Sequence, residues 1–258
     1  MTSPRERLLQ SARDVVATDG LEGLTLRAIA RHAGVSHGAP LRHFPSLAAL
    51  LAALAAEGFA RLIATIDDTL AAADTAAAAL GTTVTARQRV AVAGRAYVYV
   101  ALSDPGVYAV MFRQERIDVT WPDYQQHGFA AFQQLVDLVA AAQEEGWRPD
   151  DTATDLAGVV WANVHGLADL ALHGSLAATV GPDAAARLPS LSTTLALGLD
   201  EPVDHLIDLD SPSSPAPPAS VPPSSPAPSS PVPSSSPAPP PAVPPSSVPP
   251  SSSSPTRS

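Results

Sequence analysis

Two stretches of this chain hold side chains that could do chemistry. The first, residues 24–44, reads LTLRAIARHAGVSHGAPLRHF. It offers hydroxyls at Thr25 and Ser36, guanidinium groups at Arg27 and Arg42, and imidazoles at His37 and His43. Such groups hydrogen-bond phosphate oxygens and base edges. Gly38 and Ala39 would let a backbone come close to a thymine methyl group. The second stretch concentrates nearly all the aromatic mass between residues 97 and 165. Tyr97, Tyr108, Met111, Phe112 and Trp121 come first; Phe129, Phe132, Trp161 and His165 follow. They fit an apolar ligand cavity with a few polar handles, and equally an ordinary aromatic core. His165, Asp169 and His173 recur at helical spacing. Such spacing fits hydrogen-bonded or surface pairs better than a metal site, so neither metal nor cofactor is expected.

These residues need helices to place them. Ala and Leu recur at helical spacing and nothing alternates at period two for long, so the fold class is all-α. A first helix is expected over 3–18, with Pro4 at its first position, Leu8, Ala12, Val15 and Val16 inward, and Gly20 as its stop. Thr25 should cap a second helix with Ile29 and Ala30 inside. Gly34 makes a tight turn, and Ser36 should cap a third helix reaching His43. That layout is a helix-turn-helix. A long helix follows Ser46, with a Thr/Ala stretch to residue 85 read as its end and a loop. Further helices are expected over 86–103, 105–115, 122–146, 151–173 and 183–199, with Pro189 interrupting the last or starting its second half. The 151–173 segment is apolar nearly all round, so one side should meet its own domain and the other a second subunit. Leu188, Leu191, Leu195 and Leu199 extend that second surface.

The domain reading is a DNA-binding unit over 1–46, a helical regulatory unit for ligand binding and dimerisation over 47–205, and a disordered tail over 206–258. From residue 211 the tail is almost only Pro, Ser, Ala and Val, with nothing to offset the entropy of ordering. It reads as an inert extension, with polyproline recognition of a partner as the alternative.

The formal net charge is −10, unusual for a DNA binder, but it is unevenly spread. Residues 1–60 carry +1 and residues 61–210 carry −12. Without Cys there is no disulfide, thiolate metal site or Cys nucleophile, and without Lys there is no Schiff-base chemistry. The start, MTSPRERLLQ, lacks a signal-peptide core, and the longest apolar run, 47–56, is about half a membrane span. A cytoplasmic protein without membrane partner is expected.

The string LTLRAIARHAGVSHGAPLRHFPSLAALLAAL resembles the TetR family of one-component regulators over about residues 5–55. WANVHGLADL, with Trp161, His165 and Gly166, resembles the subfamily whose C-terminal domain carries a Trp…His-Gly signature; AYVYVALSDPGVYAVMF, residues 96–112, fits it more loosely. The resemblance implies a homodimer that binds a palindromic double-stranded DNA operator and is released by a small hydrophobic effector. Two family phosphate contacts are missing: Leu41 stands where Tyr is usual, and Leu47 where Lys is usual. The competing reading is a helical-bundle enzyme or binding protein for a small hydrophobic molecule, with His165 as base and Asp169 as its orienter.

Overall fold

In the computed structural model the described residues are 3–36 and 38–209. His37 and residues 210–258, which hold nearly all of the expected tail, lie outside them. The described residues form helices and turns with no strand, so the fold is all-α.

α1 spans Pro4–Gly23. Ser3 opens it with a reciprocal capping box: its hydroxyl accepts the Glu6 N–H at 3.2 Å, and its own N–H donates to the Glu6 carboxylate at 2.8 Å. Gly20, at φ 69°, breaks its helical geometry where a stop was expected. α2, Leu26–His32, starts at Thr25, whose hydroxyl accepts the Ala28 N–H at 3.1 Å. Gly34, at φ 65°, turns the chain, and the Val35 N–H reaches back to the Ala30 carbonyl at 3.0 Å.

The expected third helix is much shorter. Among the described residues only a 3-10 turn, Pro40–Arg42, forms between α2 and the next helix. An α-helix begun at Ser36 would pair the Ser36 carbonyl with an N–H at position 40, which proline lacks. The Ala39 N–H takes that carbonyl instead, at 2.9 Å, in a tighter turn. Gly38 adds backbone entropy against a regular helix here.

α3, Leu47–Ala79, is capped by Ser46 and ends within the Thr/Ala stretch, with the expected loop over 80–85. Its Ala-rich second half has high helix propensity, and Ala73 and Ala77 are buried. By length and composition α3 could cross a membrane, but most of its apolar stretch is buried within the protein. It forms the central rod, contacting α1, α4 (Ala86–Ser103), α5 (Pro105–Met111) and α6 (Pro122–Glu144). Each fully buried Leu on it, such as Leu50 or Leu54, contributes about 2 kcal/mol.

α7, Ala153–Leu172, packs on α4, α6 and α9. The expected last helix forms as α9, Pro182–Leu197, and a short α8, Ser175–Val180, precedes it where no helix was expected. Pro189 does not interrupt α9; it sits buried within a continuous helix, and its carbonyl accepts the Thr193 hydroxyl at 3.0 Å.

Candidate functional site

The described polar residues of 24–44 lie at the exterior. Thr25, Arg27, Ser36, Gly38, Arg42 and His43 are exposed, and Ala39 is half-buried. Behind them Leu24, Ile29, Pro40 and Phe44 are buried, so the turn is anchored from within. Arg27 and Arg31 stand one helical turn apart on α2. Among the described residues Arg27, Arg31 and Arg42 make no ion pair, whereas most other N-terminal cations do. Arg5 lies 3.7 Å from Asp123 and stacks over the Phe44 ring at 5.4 Å, which draws it into the body. His32 is held by Asp14 at 3.1 Å. Leu41, in the place of the family's Tyr, is more than half exposed and has no phosphate-binding group.

In the body, a cavity of about 280 Å³ lies between α3, α4, α6 and α7. Five expected residues reach it: Tyr97 from α4, Phe112 after α5, Phe129 and Phe132 from α6, and Trp161 from α7. Phe59, Leu62 and Ile66 of α3 complete the wall, with Leu135, Val160 and Val164. Leu62 and Ile66 carried the signal of an inner helix stripe, but a stripe does not say which neighbour it faces. Gln114, Gln125 and Gln134 are polar points on the wall, and none of its residues is charged. Tyr124 and Gln125 lie in the first turns of α6 and also line the cavity.

Four expected residues lie off the wall. Met111 is buried against Gly58, where a methyl group would come within 2.6 Å of its sulfur. Trp121 packs on Phe44 at 6.2 Å between ring centres, so it belongs to the junction with the N-terminal helices. Tyr108 and His165 stand behind Tyr97. The Tyr97 and Tyr108 hydroxyls each lie 2.8 Å from His165 Nδ1 and 3.2 Å from each other. Trp161 Nε1 donates to the Tyr97 hydroxyl at 3.3 Å. Burial pushes Tyr97 up to about 12 and raises Tyr108 as well, so both hydroxyls keep their protons. Burial lowers His165, outweighing the opposing pull of Asp169, and keeps the imidazole neutral at pH 7.

This arrangement does not make an acid–base dyad. His165 Nδ1 is engaged by tyrosines, while Asp169 lies 3.5 Å from His173 at the surface. Among the described residues no group of three or more His, Asp and Glu could hold a metal ion.

A short helix and tight Gly34 turn with exposed cations, joined to an all-α body with an apolar cavity, fits one class: DNA-binding transcription regulators. The comparisons with known proteins agree. Residues 8–54 match the family described as bacterial regulatory proteins, tetR family, and residues 90–194 match the tetracyclin repressor-like C-terminal domain. The chain belongs to the TetR family and is a transcription regulator, not an enzyme. A protein of unknown function from Rhodococcus sp. RHA1 is 31% identical, with 78% of this chain and 97% of that one covered, at TM-score 0.62. A bacterial regulatory protein in the tetR family from Rhodococcus RHA1 shares the fold at 18% identity, with 78% and 99% covered and TM-score 0.56. A transcriptional regulator from Rhodococcus sp. Rha1 does so at 22% identity, with 76% and 97% covered and TM-score 0.55. No curated protein matches the chain.

Proposed function

We propose that this regulator is a ligand-responsive repressor that binds a palindromic operator as a homodimer in the cytoplasm. The observation that carries the reading is a pairing within one chain: an exposed, cation-bearing turn at 24–44 and an uncharged cavity in the body. Ser36, His37, Gly38 and Ala39 would face base edges. Thr25, Arg27, Arg42 and His43 would hold phosphates. In these roles 1–46 is the DNA-binding unit and 47–205 the regulatory unit; of the expected tail 206–258, Leu206 and Ile207 pack on the core, and the rest is an inert extension.

The homodimer reading rests on α7 and α9. Val159, Leu170, Leu191 and Leu195 are exposed on them, and Ser192 donates to the Asn163 amide oxygen at 2.8 Å across the pair. Exposed apolar side chains gathered on two adjacent helices favour a like surface on a second copy. The cavity, lined by Tyr97, Phe112, Phe129, Phe132 and Trp161, would take a small apolar effector.

Selection of random duplexes by the full chain tests this reading. Enrichment of a two-fold palindrome is the expected result; a pool with no enriched motif, or one single asymmetric motif, overturns it.

A further inference from the structure

The cavity's chemistry narrows the effector further, granted that the cavity is the effector site. Its volume, about 280 Å³, is nearly twice that of an apolar cavity of about 150 Å³ that takes one benzene ring. No Arg, Asp or Glu lines it. A carboxylate or ammonium brought inside would lose its hydration and find no counter-charge, which is heavily disfavoured. The part of an occupant that the cavity encloses must therefore be uncharged.

The polar handle is asymmetric. A neutral imidazole nitrogen at Nδ1 has one lone pair or one proton, so it cannot serve two hydroxyls at 2.8 Å fully. Tyr108 lies off the cavity wall and Tyr97 lies on it. If the Tyr108 proton goes to Nδ1, the remaining acceptor for the Tyr97 proton is the Tyr108 oxygen at 3.2 Å, long for a hydroxyl pair. If Nδ1 carries the proton instead, the cluster holds still one more donor. Trp161 Nε1 meanwhile occupies the Tyr97 oxygen as an acceptor. Nδ1 can thus take only one of the two protons, and an acceptor arriving at the wall would take that of Tyr97 and leave Nδ1 to Tyr108.

We propose that the cavity selects an uncharged, largely apolar molecule of about two rings that carries a carbonyl or ether oxygen as acceptor for the Tyr97 hydroxyl. Tyr97 is then the specificity-determining residue, and Tyr108 and His165 orient its proton.

Calorimetric titration of the full chain near pH 7.5 with four two-ring probes tests this. Coumarin is neutral with an acceptor, naphthalene is neutral without one, coumarin-3-carboxylate is an anion and N-methylquinolinium a cation. Coumarin should bind roughly tenfold more tightly than naphthalene, and both charged probes more weakly than naphthalene. Tyr97→Phe should bring coumarin to the naphthalene level and leave naphthalene unchanged. A charged probe that binds as tightly as coumarin overturns the proposal, as does coumarin affinity unaltered in Tyr97→Phe. Binding by none of the four overturns the effector-site reading itself together with this one.

Discussion

Gly106 of α5 meets Val16 of α1 so closely that a methyl group at 106 would lie 2.8 Å from Val16 Cγ1 and 3.3 Å from its carbonyl carbon. This contact joins the helix that carries Tyr108 to the N-terminal helices. Beside it Asp104 caps α5 and holds Arg13 of α1 at 2.9 Å. Gly106→Ala should push α1 away and destabilise the protein by about 1–3 kcal/mol. Urea unfolding reads the loss. Unchanged stability would mean that the two helices can part without cost.

Asp104 also lies 3.6 Å from Arg61, so one partly buried carboxylate meets guanidinium groups from α1 and α3. Asp104→Ala takes the partner from Arg61, leaves Arg13 with Glu57 alone at 3.4 Å, and removes the α5 cap. A loss of about 2 kcal/mol is expected in the same unfolding measurement, reduced at high salt because the pair is only partly shielded from water.

His165 sets a pH dependence. Burial holds its folded-state value below the usual imidazole range, so on unfolding it takes up protons more readily. Its contribution is fully present above its unfolded value, about 6.5, and is lost as pH falls toward the folded value. Stability measured from pH 7.5 down to pH 5, on the order of one imidazole's titration range, should fall less steeply in His165→Gln than in the native chain. Equal slopes would contradict the burial account.

Leu195 is 71% exposed on α9. Leu195→Glu should leave the fold of one chain intact and convert the dimer to monomer in sedimentation velocity. A dimer that survives this change places the interface elsewhere.

The N-terminal elements were legible in the sequence because local signals specify them. Pro4 at the first helical position, Thr25 and the Gly34 turn each act within a few residues, and the structure holds them as read. The third helix was misjudged where two local signals compete: Ser36 favours a helix start, and Pro40 four residues later removes the N–H such a helix needs. The cavity was half legible. Tyr97, Phe112, Phe129, Phe132 and Trp161 announced themselves by size, yet size could not separate them from Met111 and Trp121, which pack elsewhere. Phe59, Leu62 and Ile66 were hidden because their partner is set by how α3 lies against α6 and α7, a long-range property. Pro189 was read as a break or as the start of a second half; α9 runs through it, with Pro189 buried.

The central claim is a symmetric pair of chains reading DNA through exposed cations at 24–44. Titration of a selected operator at several salt concentrations, with the bound stoichiometry determined, tests it most directly. The account predicts two chains per palindrome, affinity that falls steeply with salt, and a log–log slope that drops by about one per half-site in Arg42→Ala, for every sequence alike. One chain per duplex, or an unchanged slope in Arg42→Ala, would contradict it.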